Sequence, residues 1–159
     1  MTTNPSRRQF LSDSAAAAAA FAFAPSLGNG ARRLLPQDVE RRQFGKPIVE
    51  FQAVQIKLAE MAMKVEAARL LIWRAAQNAA DGLPSLLDSS LAKCFANEMA
   101  REVAGAALQL LGAYGYSKAY KMEQRLRDAW GWGIAGGTID IQKINIAAAL
   151  AGRRFDQRR

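Results

Sequence analysis

The chain contains 159 residues, of which 50% are hydrophobic, and its formal net charge is +8. This length suits one ordinary domain and an appendage, because single domains most often contain about 100 to 150 residues. The absence of histidine excludes Ser-His and Cys-His nucleophilic catalysis and removes the commonest metal ligand. The paired arginines lie outside the apolar segments, so we predict no nucleic-acid partner.

The amino-terminal segment, residues 1–30, has the pattern of a twin-arginine export signal. Ser6–Leu11 contains a paired arginine followed after one residue by Phe-Leu, and an alanine-rich apolar stretch extends from Ala15 to Ala24. That stretch is too short for a membrane anchor, since spanning a bilayer needs about 20 residues. We therefore predict a periplasmic or exported protein, with residues 31–39 as a linker. The alternative is a low-complexity tail on a cytoplasmic protein.

A long amphipathic helix is predicted from Ile48 to about Ala80, because apolar residues recur there at alternating steps of three and four. Glu60 and Lys64 are expected to form an i,i+4 pair on this helix. The helix is expected to end at residues 81–84, where glycine permits a left-handed cap and proline cannot continue the hydrogen-bond ladder. The expected buried stripe contains Phe51, Val54, Leu58, Met61, Val65, Ala68, Ile72 and Ala75.

A second long helix is predicted from near Ser85 to about Leu111, and Gly112 and Gly115 are expected to interrupt the pattern. Cys94 lies between apolar neighbours, and we interpret it as a core residue rather than a reactive thiol. The inward residues of this helix are expected to be Leu87, Leu91, Phe95, Met99, Val103, Ala106 and Leu110.

Two further helices complete the predicted fold, a short one around Met122–Ala129 and a last one from about Thr138 to Phe155. The last helix is expected to bury Ile141, Ile144, Ala148 and Ala151. No segment has the alternating pattern of a strand. The fold class is therefore an all-α helical bundle, and because such bundles are commonly built from four long helices, one helix is expected to be missing.

Several motifs between Glu40 and Phe155 resemble, in order, the carboxy-terminal helical domain of the acyl-CoA dehydrogenase family. The resemblance implies that residues 40–157 form that bundle without its first helix. It also implies a role in the α,β-dehydrogenation of an acyl-CoA thioester in fatty acid metabolism. The motifs are Glu40–Ile48, Phe51-Gln52, Leu58–Met63, Ala92–Ala96, Gln109–Tyr116, Arg127–Ala129 and Gly137–Gln142.

The resemblance further implies a FAD site that is shared with a neighbouring subunit. Arg41 matches the arginine that reaches the cofactor pyrophosphate, and a guanidinium suits a phosphate through its rigid fork of donors. Gly112 and Gly115 allow the backbone to approach the cofactor closely, whereas Ala113 replaces a usual glycine. The positions that match cofactor-contacting residues are Arg41, Gln43, Phe44, Gln52, Gln109, Gly112, Ala113, Thr138 and Asp140.

The main departure from the family pattern is the catalytic base. Most members carry a glutamate immediately before Gly-Thr, where this chain has Gly136, and Gly137 follows as the expected substrate contact. Glycine cannot accept the proton that the reaction removes. Members resembling isovaleryl-CoA dehydrogenases place the glutamate on the preceding helix, which here would have to precede Glu40. Arg127 and Asp128 are expected to form a structural pair.

The sequence therefore predicts an incomplete enzyme that is inactive alone. Its expected partners are further copies or a complementary acyl-CoA dehydrogenase subunit, an acyl-CoA substrate and an electron-transfer acceptor. The alternative is an exported helical binding or structural module without catalytic activity. A basic membrane-surface helix is disfavoured, because the charges along the helices are of mixed sign.

Overall fold

Two long helices form the frame of the structure, a computed structural model that describes residues 41–79 and 82–155. Helix α1 spans Gln52–Asn78 and α2 spans Leu86–Leu111. Their predicted positions are confirmed, although Ile48–Glu50 forms a separate 3-10 turn before α1. The predicted export signal, the linker, Glu40, Asp81 and residues 156–157 lie outside the described residues.

The remaining helices follow α2 and lie around it. Helix α3 is a single turn at Ala113–Tyr116, and a 3-10 turn at Lys118–Tyr120 leads to α4 at Met122–Trp132. The last helix, α5, spans Ile139–Leu150. Because α1, α4 and α5 all pack against α2, the predicted all-α fold is confirmed with α2 at its centre.

The expectation of no strand was wrong at one place, a short hairpin before α1. Strands β1, Arg42–Gln43, and β2, Lys46–Pro47, pair antiparallel. Phe44 and Gly45 connect them with φ values of 52° and 81°, and two successive positive φ values are typical of a tight type I′ hairpin turn. Strands of two residues are too short to produce an alternating pattern, which is why the sequence did not reveal them.

The core lies mainly between α1, α2 and α4. Ala104 of α2 is completely buried, and small residues of this kind let the helix backbones approach closely. The predicted inward residues Met61, Ala68, Ala75, Met99 and Val103 are buried, whereas Phe95 was misassigned and is 37% exposed. The main core cluster consists of Met61, Ala68, Met99, Ala100, Val103, Ala104, Ala107, Met122 and Ala129.

The buried face of α5 differs from the predicted one. Ile139 and Gln142 are buried, whereas Ile141 is 49% exposed and Ala151 lies beyond the helix and is exposed. The apolar residues of this helix are distributed around its whole circumference, so periodicity does not select one face. The helix also ends before Phe155, and Gly152 with a φ of 65° terminates it.

Two predicted ion pairs are replaced by others. Lys64 pairs with Glu102 of α2 rather than with Glu60. Arg127 donates from Nε to Glu123 Oε2 at 2.9 Å, one helical turn away, rather than to Asp128, because adjacent residues on a helix do not face each other. The hydrogen bond from Arg127 lowers the pKa of Glu123.

Cys94 is buried, as predicted. Burial raises the pKa of its thiol, and the nearby Glu98 carboxylate raises it further. A thiol of raised pKa contains little of the nucleophilic thiolate at neutral pH, which agrees with a packing role for Cys94. Across residues 41–79 and 82–155, no helix is both long enough and apolar enough to cross a membrane.

Candidate functional site

Arg41 lies against the carboxy-terminal end of α2. Its Nη1 donates a hydrogen bond to the Leu111 carbonyl oxygen at 2.9 Å, and the last carbonyl groups of a helix lack intrahelical partners and attract cations. The next residue, Gly112, has a φ of 60°. A Cβ atom at Gly112 would overlap the Arg41 guanidinium, so the glycine provides the space that the arginine occupies.

Four of the predicted cofactor residues gather at this end of α2, and we call them the arginine cluster: Arg41, Gln109, Gly112 and Ala113. Gln109 is exposed in the last turn of α2, and Ala113 is exposed at the start of α3. A guanidinium has five N–H donors, so the bond to Leu111 leaves donors that suit a phosphate group. The Arg41 guanidinium and the exposed Gln109 amide thus both lie at the last turn of α2.

The hairpin and the start of α1 carry three further predicted cofactor residues. Gln43 and Gln52 are exposed, and Phe44 at the hairpin tip is 93% exposed. The Phe44 ring makes an edge contact with Phe51, with 6.2 Å between ring centroids. Lys46 Nζ lies 4.3 Å from the centroid of the Phe51 ring. The hairpin thus presents the Phe44 ring to solvent, and the Lys46 ammonium lies over the neighbouring Phe51 ring.

The second group of predicted residues lies in the turn between α4 and α5. Gly136 and Gly137 have φ values of 63° and 90°, and such values favour glycine. Thr138 then caps α5, because its Oγ1 accepts a hydrogen bond from the Ile141 N–H at 3.3 Å. Asp140 is exposed in the first turn of α5, where the helix dipole favours a carboxylate.

The side chain of Lys93 borders the position of the missing base. Its Nζ would lie 3.3 Å from a Cβ atom at Gly136, and burial lowers the pKa of this amine. A cation therefore lies next to the position that the resemblance assigns to the catalytic glutamate. The sequence did not identify Lys93 as a site residue, although Lys93 lies within the Ala92–Ala96 motif. Within the described ranges, no cluster of three acidic or cysteine residues could hold a metal ion.

The arginine cluster and the Gly136 turn lie far apart. The turn lies beside Lys93 near the start of α2, whereas Arg41 contacts Leu111 at its end. At about 1.5 Å of rise per residue, these two positions of α2 are separated by roughly 27 Å. The predicted site residues therefore form two separate groups within one chain, and each group provides only part of a surface for a ligand.

Comparison with known proteins assigns the fold to a family. The family described as acyl-CoA dehydrogenase, C-terminal domain, matches residues 17–151. This chain belongs to that family. The match includes the arginine cluster, the hairpin and the Gly136 turn, and it begins within the alanine-rich segment that precedes the described residues.

Individual relatives confirm the helical domain. A 3-sulfinopropanoyl-CoA desulfinase of Paraburkholderia xenovorans is 43% identical over 119 residues, covering 75% of this chain and 30% of the relative. The structure of butyryl-CoA dehydrogenase from Megasphaera elsdenii has a TM-score of 0.69 and 35% identity, covering 91% of this chain and 34% of that chain. The crystal structure of an FAD-dependent dehydrogenase has a TM-score of 0.68 and 28% identity, and the match covers 72% of this chain and 31% of that chain. This chain thus spans about a third of the length of such relatives.

Proposed function

We propose that this chain is the carboxy-terminal helical part of a FAD-dependent acyl-CoA dehydrogenase and that it is inactive without further domains or a partner subunit. The observation that carries the proposal is the division of the predicted site into two groups at opposite ends of α2. One chain of this kind contributes one surface to each of two ligand sites. Copies of the chain, or a complementary subunit, provide the remaining surfaces.

The arginine cluster supports FAD as the cofactor. Arg41 would hold the pyrophosphate through its free guanidinium donors, and Gln109 and Gln52 would donate to the polar groups of the nucleotide. Phe44 would cover an apolar part of the cofactor or of the neighbouring subunit. Bound FAD supplies the hydride acceptor of the reaction, and its electrons leave through an electron-transfer acceptor.

The Gly136 turn supports a role in acyl-CoA binding. In the proposed reaction, a carboxylate removes the proton next to the thioester carbonyl, and Gly136 cannot do so. We therefore infer that another domain or a partner subunit supplies the base. Gly137 and Thr138 would contact the substrate and the cofactor from this chain, and the net charge of +8 suits the phosphates of CoA.

An incomplete FAD site leads to the first prediction. The purified full chain is expected to retain little or no FAD, because only one side of the cofactor would be contacted. Absorbance at the flavin maximum, relative to protein, measures the occupancy. Stoichiometric flavin in the chain alone would contradict a shared site. When a complementary subunit restores binding, Arg41→Met should weaken it far more than the matched change Arg42→Met, since within the described residues Arg42 bonds to the Gly45 carbonyl oxygen of the hairpin.

The second candidate function is an exported helical module without catalysis, and the absence of a side chain at Gly136 favours it. Co-expression with a complementary subunit separates the two candidates, because only the dehydrogenase should yield a yellow complex that oxidises an acyl-CoA. A complex without flavin and without activity would favour the helical module.

Export itself is proposed from Arg7-Arg8 and the apolar stretch that follows. We expect a reporter fused after Gly30 to reach the periplasm, and replacement of both arginines by lysine should abolish its export. Fractionation of cells measures both constructs. Equal retention of the two reporters in the cytoplasm would exclude a twin-arginine signal.

A further inference from the structure

Three consecutive carbonyl groups in the turn between α4 and α5 accept hydrogen bonds from two side chains on different helices. Lys93 Nζ, from α2, donates to the Ala135 carbonyl oxygen. Gln142 Nε2, from α5, lies 3.4 Å from the Gly136 oxygen and 3.5 Å from the Gly137 oxygen. The turn is thus held by one side chain from α2, which packs beside it, and by one from α5, which follows it.

These contacts compensate for the composition of the turn. Residues 133–138 contain three glycines, and glycine has more backbone conformations available than any other residue. The Ile139 N–H donates to the Gly133 carbonyl oxygen at 3.2 Å, which closes the turn on itself. The Ala135 N–H also donates to the Gly131 carbonyl oxygen at 3.1 Å, which ties the start of the turn to the end of α4. Neither of these two backbone bonds involves Gly136 or Gly137.

Lys93 is suited to this task by charge and by position. A hydrogen bond from a charged donor is about twice as strong as one between neutral groups. The side chain is partly buried, and its ammonium group reaches the turn. Gln142, by contrast, is 92% buried, since its exposed fraction is 8%, and it contacts the turn from the helix that the turn itself begins.

We propose that Lys93 is a positioning residue that fixes the Gly136 turn through the Ala135 carbonyl group. We call the hydrogen bond from Lys93 to the Ala135 carbonyl oxygen the clamp. The clamp fixes the surface that this chain presents to the acyl group, and this purpose rests on the proposed function. The clamp itself does not, because it is a contact within the chain.

Amide hydrogen exchange of the full chain tests the clamp without requiring enzymatic activity. In Lys93→Met, the Ile139 amide should exchange about tenfold faster, the change expected for loss of one hydrogen bond to a charged group. Amides in the middle of α2 and α5 should keep their rates, whereas a general loss of packing would accelerate them as well. Lys93→Arg should restore slow exchange at Ile139, because a guanidinium can donate to the same carbonyl.

The matched control is Lys64→Met, which removes the same charge and an exposed ion pair with Glu102 but does not contact the turn. An Ile139 amide that exchanges equally fast in Lys93→Met and Lys64→Met would overturn the proposal, as would equal acceleration throughout α5. If Lys93→Met proves unfolded, Lys93→Gln retains a polar group that is too short to reach Ala135, and the same outcomes apply.

The complemented enzyme provides the second measurement. There Lys93→Met should lower kcat more than it raises KM, because a displaced turn affects alignment of the reacting atoms more than affinity for the CoA portion. An inactive complemented enzyme would contradict the proposed function and leave the exchange result decisive for the clamp. If the complemented enzyme is active but the Ile139 amide of Lys93→Met exchanges as slowly as that of the unchanged chain, the clamp is rejected and the proposed function stands.

Discussion

Gly136→Glu is expected to raise the rate of acyl-CoA dehydrogenation by about 100-fold or more in a chimera that supplies the missing domains. The chimera joins this chain to the amino-terminal and middle domains of a relative whose glutamate lies before Gly-Thr. A carboxylate at this turn would accept the proton next to the thioester carbonyl, and a positioned base contributes about 100-fold to 10,000-fold. Reduction of an artificial electron acceptor with butyryl-CoA measures the rate.

Gly136→Gln is the matched control for this change. Glutamine has the same size and meets the same positive φ of 63°, but it cannot accept the proton, so the rate should stay near that of the Gly136 chimera. A second chimera, whose donor carries its glutamate on the preceding helix, should be active without any change at Gly136. Full activity of the first chimera with Gly136, and with no carboxylate on the donor helix, would show that the catalytic turn lies elsewhere.

Gly115→Ala and Gly105→Ala are expected to change stability in opposite directions. Gly115 is buried in α3, and a Cβ atom there would lie 2.5 Å from the Leu108 carbonyl oxygen and 3.1 Å from its Cα atom. Backbone atoms cannot rotate away as a side chain does, so α3 must move from α2, and overpacking of this kind costs about 1 to 3 kcal/mol.

Gly105 provides the control, because it lies within α2 and a Cβ atom there would meet nothing within 4 Å. Alanine is favoured over glycine in a helix by about 1 kcal/mol, so Gly105→Ala should be stabilising. Urea unfolding followed by circular dichroism gives both free energies. A Gly115→Ala variant as stable as Gly105→Ala would mean that α3 does not pack against α2 at this distance.

The elements that the sequence predicts well are those with strong local signals. Ser85 accepts a hydrogen bond from the Asp88 N–H at 3.0 Å and begins α2, and Thr138 begins α5 in the same way. Both belong to the residue types that favour the position before a helix. The period of three and four also located the buried residues Met61 and Ala68, because α1 has a clear apolar stripe facing α2.

The features that sequence analysis missed depend on contacts between distant residues. Lys93 meets Ala135 across 42 positions of the chain, and no local pattern encodes that approach. Gly115 was interpreted as a residue that lets the backbone approach a cofactor, whereas contact with Leu108 already requires a glycine there. The face of α5 was misassigned because apolar residues occur on all sides of this helix, so its orientation depends on the helices packed against it.

The separation of the arginine cluster from the Gly136 turn has a genetic consequence. A change at Arg41 and a change in the turn damage opposite ends of the same chain, roughly 27 Å apart along α2. In an assembly that shares its sites between copies, one copy altered at Arg41 and one altered in the turn would together retain one intact site of every two. Alleles of the two kinds would then complement each other in the same cell, whereas two alleles altered at the same end would not.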